Sequence, residues 1–192
     1  MSVTDNILEF WLHDVGPKGW YAVDSEVDAE IVTRYGGEWE AARRGERDVW
    51  CNGPRGALAF LILTDQFPRN MFRGDPRAFA TDDKARHAAD LAIGKGWDLK
   101  IAEPERQFFY LPFMHSEGKA DQDRCCALMA ERMPEGRDEG VLHAHAHREV
   151  IQNFGRFPYR NQALGRDMTP EEEKFLSEGG YGAAVRAVKA RQ

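Results

Sequence analysis

One stretch of this chain limits the fold more than any other. Pro54 leads into Ala57-Leu58-Ala59-Phe60-Leu61-Ile62-Leu63, and the run closes on Thr64-Asp65-Gln66. A segment that is apolar on every side has no face to offer water, so other elements must cover it all round. By periodicity alone a buried strand fits such a run as well as a helix does. The leading proline suits the first turn of a helix. With the alanines and the length through Gln66 it decides for a buried central helix. The run is far shorter than the roughly 18 apolar residues of a membrane span.

The remaining segments read as amphipathic helices. Thr4 or Asp5 caps a first helix carrying Ile7, Leu8, Phe10 and Trp11, and Gly16-Pro17-Lys18-Gly19 then breaks the chain. Asp24 or Ser25 caps a second, with Val27, Ile31, Tyr35 and Trp39 on one face. Gly36-Gly37 interrupt that stripe, and a close helix–helix approach would explain them. Thr81 or Asp82 opens an alanine-rich helix ending near Gly94 or Gly96. Pro104 opens an aromatic one that Pro112 should kink or divide. Two more run from Asp121 to Met133 and from Glu139 to Asn153, and Thr169-Pro170-Glu171-Glu172 signals the start of a last short helix.

No run alternates with period two, and no Asn-Gly or Asp-Gly hairpin signal occurs. The expectation is an all-α fold of about seven to nine helices with short loops. Residues 1–178 form one domain in this reading, followed by a tail or short helix over 179–192.

The net charge of −6 argues against nucleic-acid binding, which needs a basic face. Cys51, Cys125 and Cys126 are too few, and odd in number, for a disulfide framework, so they read as thiols in a reducing compartment. The N-terminal Met-Ser-Val-Thr-Asp-Asn has neither the basic start nor the apolar stretch of a signal peptide. A cytoplasmic protein with no membrane association is expected.

The most distinctive motif is written twice. Residues 65–70 read Asp-Gln-Phe-Pro-Arg-Asn and residues 156–161 read Arg-Phe-Pro-Tyr-Arg-Asn, each after an apolar run. Each Phe-Pro should end one helix and start a new turn, leaving Arg69, Asn70, Arg156, Arg160 and Asn161 at helix junctions. Arginines held there suit a carboxylate or phosphate, which they bind bidentately. The opposing reading pairs them with the chain's own acids, among them Asp65, Glu117, Asp167 and Glu171.

Acid–base candidates stand nearby. Asp65 follows directly on the apolar helix, where a carboxylate is costly unless paired. His115 and Glu117 leave the end of the aromatic segment, and His143 and His147 share a helix face at i, i+4. Two histidines without a His-Glu-x-x-His pattern are weak evidence for zinc, and no metal or other cofactor is expected. No Gly-x-Ser-x-Gly elbow and no glycine-rich phosphate loop is present.

Four phrases together resemble the bacterial family of unknown function 924. They are Ile7-Leu8-Glu9-Phe10-Trp11, Leu63 through Asn70, Tyr110 through Glu117, and His147 through Ile151 running on to Phe154 through Asn161. The resemblance covers about residues 4–178 and implies an all-α fold with packing similar to tetratricopeptide repeats, although no 34-residue repeat is visible. It implies no established activity. Tyr159 stands where the family usually has His, and His143 is not a family position. Asp65, His115, Glu117 and His147 do fall on motif positions, which implies one shared pocket.

Three functions compete. The first is a binder of an anionic small molecule, with Arg69, Asn70, Arg156, Arg160 and Asn161 holding it and His115, Glu117, His147 and Asp65 moving protons, in acid–base or hydrolytic chemistry. The second is a tetratricopeptide-like module for a protein partner. In the third the polar motifs are buried networks that hold helix junctions.

Overall fold

The computed structural model describes residues 2–191, and every regular element among them is helical. None of these helices is long and apolar enough to cross a membrane. The chain divides into two compact units, with the boundary between Pro112 and Phe113.

In the first unit, α1 spans Val3–Glu9, and its cap is Ser2 rather than Thr4 or Asp5. The Ser2 hydroxyl accepts from the Asp5 N–H, while the Asp5 carboxylate accepts from the Ser2 N–H. The chain continues as one wide, π-helical stretch over Phe10–Val15 and breaks at Gly16, whose φ of 64° belongs to glycine. Helix α2 (Ser25–Arg43) starts on Asp24, which accepts from the N–H groups of Glu26 and Val27. Its Ile31, Tyr35 and Trp39 are buried.

The central helix, α3, is helical from 54 to 71, and Ala57 through Pro68 are buried. The first Phe-Pro does not end it, contrary to the sequence expectation. The chain instead widens into a π turn over Ile62–Gln66, with the Phe67 N–H donating to the Ile62 carbonyl, and carries on through Phe67–Met71. Pro68 has no N–H for the carbonyl four residues back, and in a regular α-helix its ring would collide with that carbonyl. That carbonyl belongs to Thr64. It accepts instead from the Thr81 hydroxyl at 2.6 Å, and Thr81 Oγ1 accepts from Trp39 Nε1 at 3.1 Å. One hydroxyl thus ties α2 and α3 to the start of α4 (Asp82–Gly94). Phe10, Trp11 and Tyr35 pack on Phe67 with ring centroids 5.0–6.2 Å apart.

The paired glycines of α2 do not have the reason expected for them. A Cβ at Gly36 or Gly37 would meet nothing within 4 Å, so no close helix approach requires them. Gly56 is the glycine a close approach does require, because a Cβ there would lie 2.1 Å from the Trp50 carbonyl oxygen.

The expected aromatic helix after Pro104 is two short pieces, a 3-10 turn over Glu105–Phe109 and a helical turn α5 over Leu111–Met114. The second unit then comprises α6 (Lys119–Arg132), α7 (Arg137–Phe154), α8 (Pro170–Ser177) and α9 (Gly180–Lys189). Helix α7 ends at Gly155 in the left-handed region, and Phe157-Pro158 opens a 3-10 turn, as expected for the second Phe-Pro. The core of this unit joins Leu142, Ala146, Val150 and Ile151 of α7 to Phe157 and to Ala184 and Val188 of α9. Residues 180–189 are therefore a helix docked by its apolar face.

Candidate functional site

Both Phe-Pro phrases hold carboxylates. In the first, Arg69 makes two parallel bonds to Asp82, each 3.1 Å, and its Nη1 lies 3.4 Å from Asp65 Oδ1. Asp65 is 1% exposed and also accepts from Gln66 Nε2 at 2.5 Å, so its buried charge is compensated within its own helix. Asn70 donates to Asp28 at 2.8 Å, and Arg73 grips the same carboxylate at 2.6 and 3.0 Å.

In the second phrase, Arg156 grips Glu172 at 2.6 and 2.8 Å and also donates to the Asp167 carbonyl. Glu172 accepts further bonds from Asn161 Nδ2 and from the N–H of Thr169, whose hydroxyl in turn accepts from the Glu172 N–H. These bonds, led by Arg156, hold the Glu172 carboxyl down at about 2. The Thr169-Pro170-Glu171-Glu172 phrase announced a capped helix start, and the structure makes it a capping box. Nothing in it showed that Glu172, rather than Glu171, is also the partner of Arg156 and Asn161.

Glu117 is treated similarly. Arg166 donates to both of its oxygens at 2.8 and 3.0 Å, and the Phe157 N–H donates to Oε1 at 2.8 Å. Burial alone would raise this carboxyl. The Arg166 and Phe157 bonds, with the charges of Arg166 and Arg160, outweigh burial and keep it below the usual range. Ser116 is committed as well, donating to Asp121 at 2.6 Å and accepting from the Gly118 N–H.

A third group gathers histidines and aromatic rings. Gln122, fully buried, donates to the Met114 and Ser116 carbonyls at 2.7 and 2.6 Å, which fixes the backbone on both sides of His115. Arg160 is 8% exposed, donates to the His115 carbonyl at 2.9 Å and lies 4.6 Å over the Phe157 ring. The His147 ring is surrounded by Tyr181 at 4.6 Å, Phe157 at 5.6 Å and His115 at 6.2 Å. Burial, then the charges of His115 and Arg160, lower its pKa to about 3, so it is neutral at physiological pH. Its Nδ1 lies 2.9 Å from the His143 carbonyl, which only accepts. Nδ1 therefore carries the hydrogen, and Nε2 presents a lone pair.

Sequence reasoning proposed nine site residues in these motifs, and Tyr181, Gln122, Asp28 and Asp82 are not among them. Asp65, Arg69 and Asn70 belong to the first unit, and His115, Glu117, His147, Arg156, Arg160 and Asn161 to the second. No three His, Cys, Asp or Glu side chains among the described residues are grouped to hold a metal ion.

These features define an all-α helical protein whose second unit groups His115, His147 and Arg160. The chain belongs to the family described as bacterial protein of unknown function (DUF924), whose model matches residues 7–180. It is similar to the solved structure of a protein of unknown function, ATU0120, from Agrobacterium tumefaciens, at 42% identity over 92% of this chain and 98% of that one, with a TM-score of 0.86. No curated protein shows significant similarity to it.

Proposed function

We propose that the second unit binds a small anionic molecule, a carboxylate or a phosphate, beside His147 and Arg160, and performs acid–base chemistry on it. The observation that supports this most is the state of His147, a neutral imidazole whose Nδ1 faces a carbonyl, whose ring lies 6.2 Å from that of His115, and on which the charge of the buried Arg160 acts. Arg160 would take the ligand's charge, and His147 would take a proton from it or from a water attacking it. In this reading the three cysteines are thiols of a cytoplasmic protein.

The carboxylate grips favour a second role for the other arginines. Arg69, Arg156 and Arg166 each meet an internal carboxylate with two bonds, which suits the holding of helix junctions. The tetratricopeptide-like docking of a protein partner has no comparable observation behind it.

Thermal-shift screening against carboxylates and phosphates tests the proposal. Ligand at about 100 times its Kd adds about 2.7 kcal/mol, or a rise of about 5–10 °C for a chain of this size. The expected result is a specific hit that is lost in Arg160→Ala and weakened in Arg160→Lys. Silence across the library, or a hit that persists in Arg160→Ala, would overturn it and leave the structural role.

A further inference from the structure

His143 occupies an arrangement that the His147 site does not use. Its Nε2 lies 3.2 Å from Glu139 Oε1, and its Nδ1 lies 2.6 Å from the Tyr181 hydroxyl. A carboxylate only accepts, so in the neutral ring Nε2 carries the hydrogen. Nδ1 is then the lone pair, and the phenol must donate to it. This is the layout of an activated hydroxyl: the group that gives the proton, a base within bonding distance, and a third group that sets the base's tautomer. The tyrosine is also well placed. Its ring packs 4.6 Å from His147 and 6.4 Å from Tyr159, which itself stacks on Phe157. Gly179 and Gly180, both at positive φ, turn the chain into α9 directly before it.

We infer that Tyr181 is a proton-transferring residue of this site, relayed through His143 and Glu139, for ligands carrying both an anionic group and a hydroxyl or bound water. The inference rests on the reading of the surroundings of His147 and Arg160 as an anion site. The transfer balances without any further reactant. The phenol oxygen takes the proton of the ligand's hydroxyl or water as its own proton passes to His143 Nδ1. The products are a ligand oxyanion, an intact phenol, and an imidazolium facing Glu139. Tyr181 is the group in contact with the ligand, whereas His143 and Glu139 position it and store the proton.

The test is nitrogen NMR of ring-labelled histidines, in which lone-pair and protonated ring nitrogens are well separated. Wild-type protein, Tyr181→Phe and Glu139→Gln are compared with and without inorganic phosphate. The expected wild-type spectrum has His143 as the Nε2–H tautomer and His147 as the Nδ1–H tautomer. In Tyr181→Phe the His143 Nδ1 signal should move further downfield as it loses its donor, with His147 still Nδ1–H. Phosphate should move the His147 signals in both proteins but the His143 signals only when Tyr181 is present. Glu139→Gln should raise the share of the Nδ1–H tautomer at His143.

A His143 that is Nδ1–H in wild-type protein, or that ignores the loss of the Tyr181 hydroxyl, overturns the relay. So does phosphate that moves His147 and leaves His143 unmoved, and in that case the anion site survives. Phosphate that moves no histidine, with the tautomers as expected, overturns the anion reading and the role built upon it, while the Glu139–His143–Tyr181 bonding stands.

Discussion

Glu172 offers the sharpest quantitative test of how the second Phe-Pro phrase works. Its side chain is 3% exposed and receives two bonds from Arg156, one from Asn161 and one from the Thr169 N–H. The perturbation is Glu172→Gln, which keeps the shape and removes the charge. The fall of the carboxyl from 4.5 to about 2 corresponds to about 3.4 kcal/mol, at roughly 1.4 kcal/mol per pH unit. Arg156 is 28% exposed, and solvent screening at that end reduces the expected loss to about 2–3 kcal/mol at pH 7. The sign follows from the lowered pKa. Stability from this group is fully present above about 4.5 and is lost as pH falls towards 2. Urea unfolding of both proteins between pH 7 and pH 2 measures it, and the difference between them isolates Glu172 from other carboxylates that titrate. The gap should close through that window. Equal urea midpoints at pH 7, or a gap that does not change with pH, would refute the argument that the phrase serves to hold this carboxylate.

Three further outcomes follow from the geometry. In Thr81→Val the Thr64 carbonyl and Trp39 Nε1 lose their buried partner, and urea unfolding should report a loss of about 2 kcal/mol or more; a change under about 0.5 kcal/mol would count against the account of the π turn. Gly36→Ala and Gly37→Ala should each stabilise by about 0.5–1 kcal/mol, while Gly56→Ala should cost about 1–3 kcal/mol because its Cβ would strike the Trp50 carbonyl, and melting temperatures that rank these otherwise would refute the distinction. His147 should keep its neutral ring shifts in an NMR titration from pH 8 down to about 4. Because its folded pKa lies below the ordinary 6.5, it contributes stability above that value which is lost as pH falls towards 3, and a midpoint near 6.5 would contradict the buried, cation-flanked site.

The apolar run after Pro54, the Asp24 cap and the Thr169 helix start needed only local information, and each helix begins where its pattern placed it. Helix periodicity and capping are decided within one or two turns of chain, so a single sequence carries them. The Phe-Pro phrases were legible as special but not in what they do. Proline's rule is local and predicted a helix end at Phe67. The answer at that point came from Thr81, which supplies the bond that Pro68 cannot. The same holds for the arginines. Their grouping showed that they bind anions, and only the packing of distant segments made those anions Asp82, Asp28, Glu172 and Glu117. The i, i+4 spacing of His143 and His147 put them on one face, but the tautomer of each ring depends on its neighbours. A carbonyl one turn back faces His147, and Tyr181, 38 residues on, faces His143. Which charge meets which is a property of contacts distant along the chain, and such contacts exist only once the helices are packed.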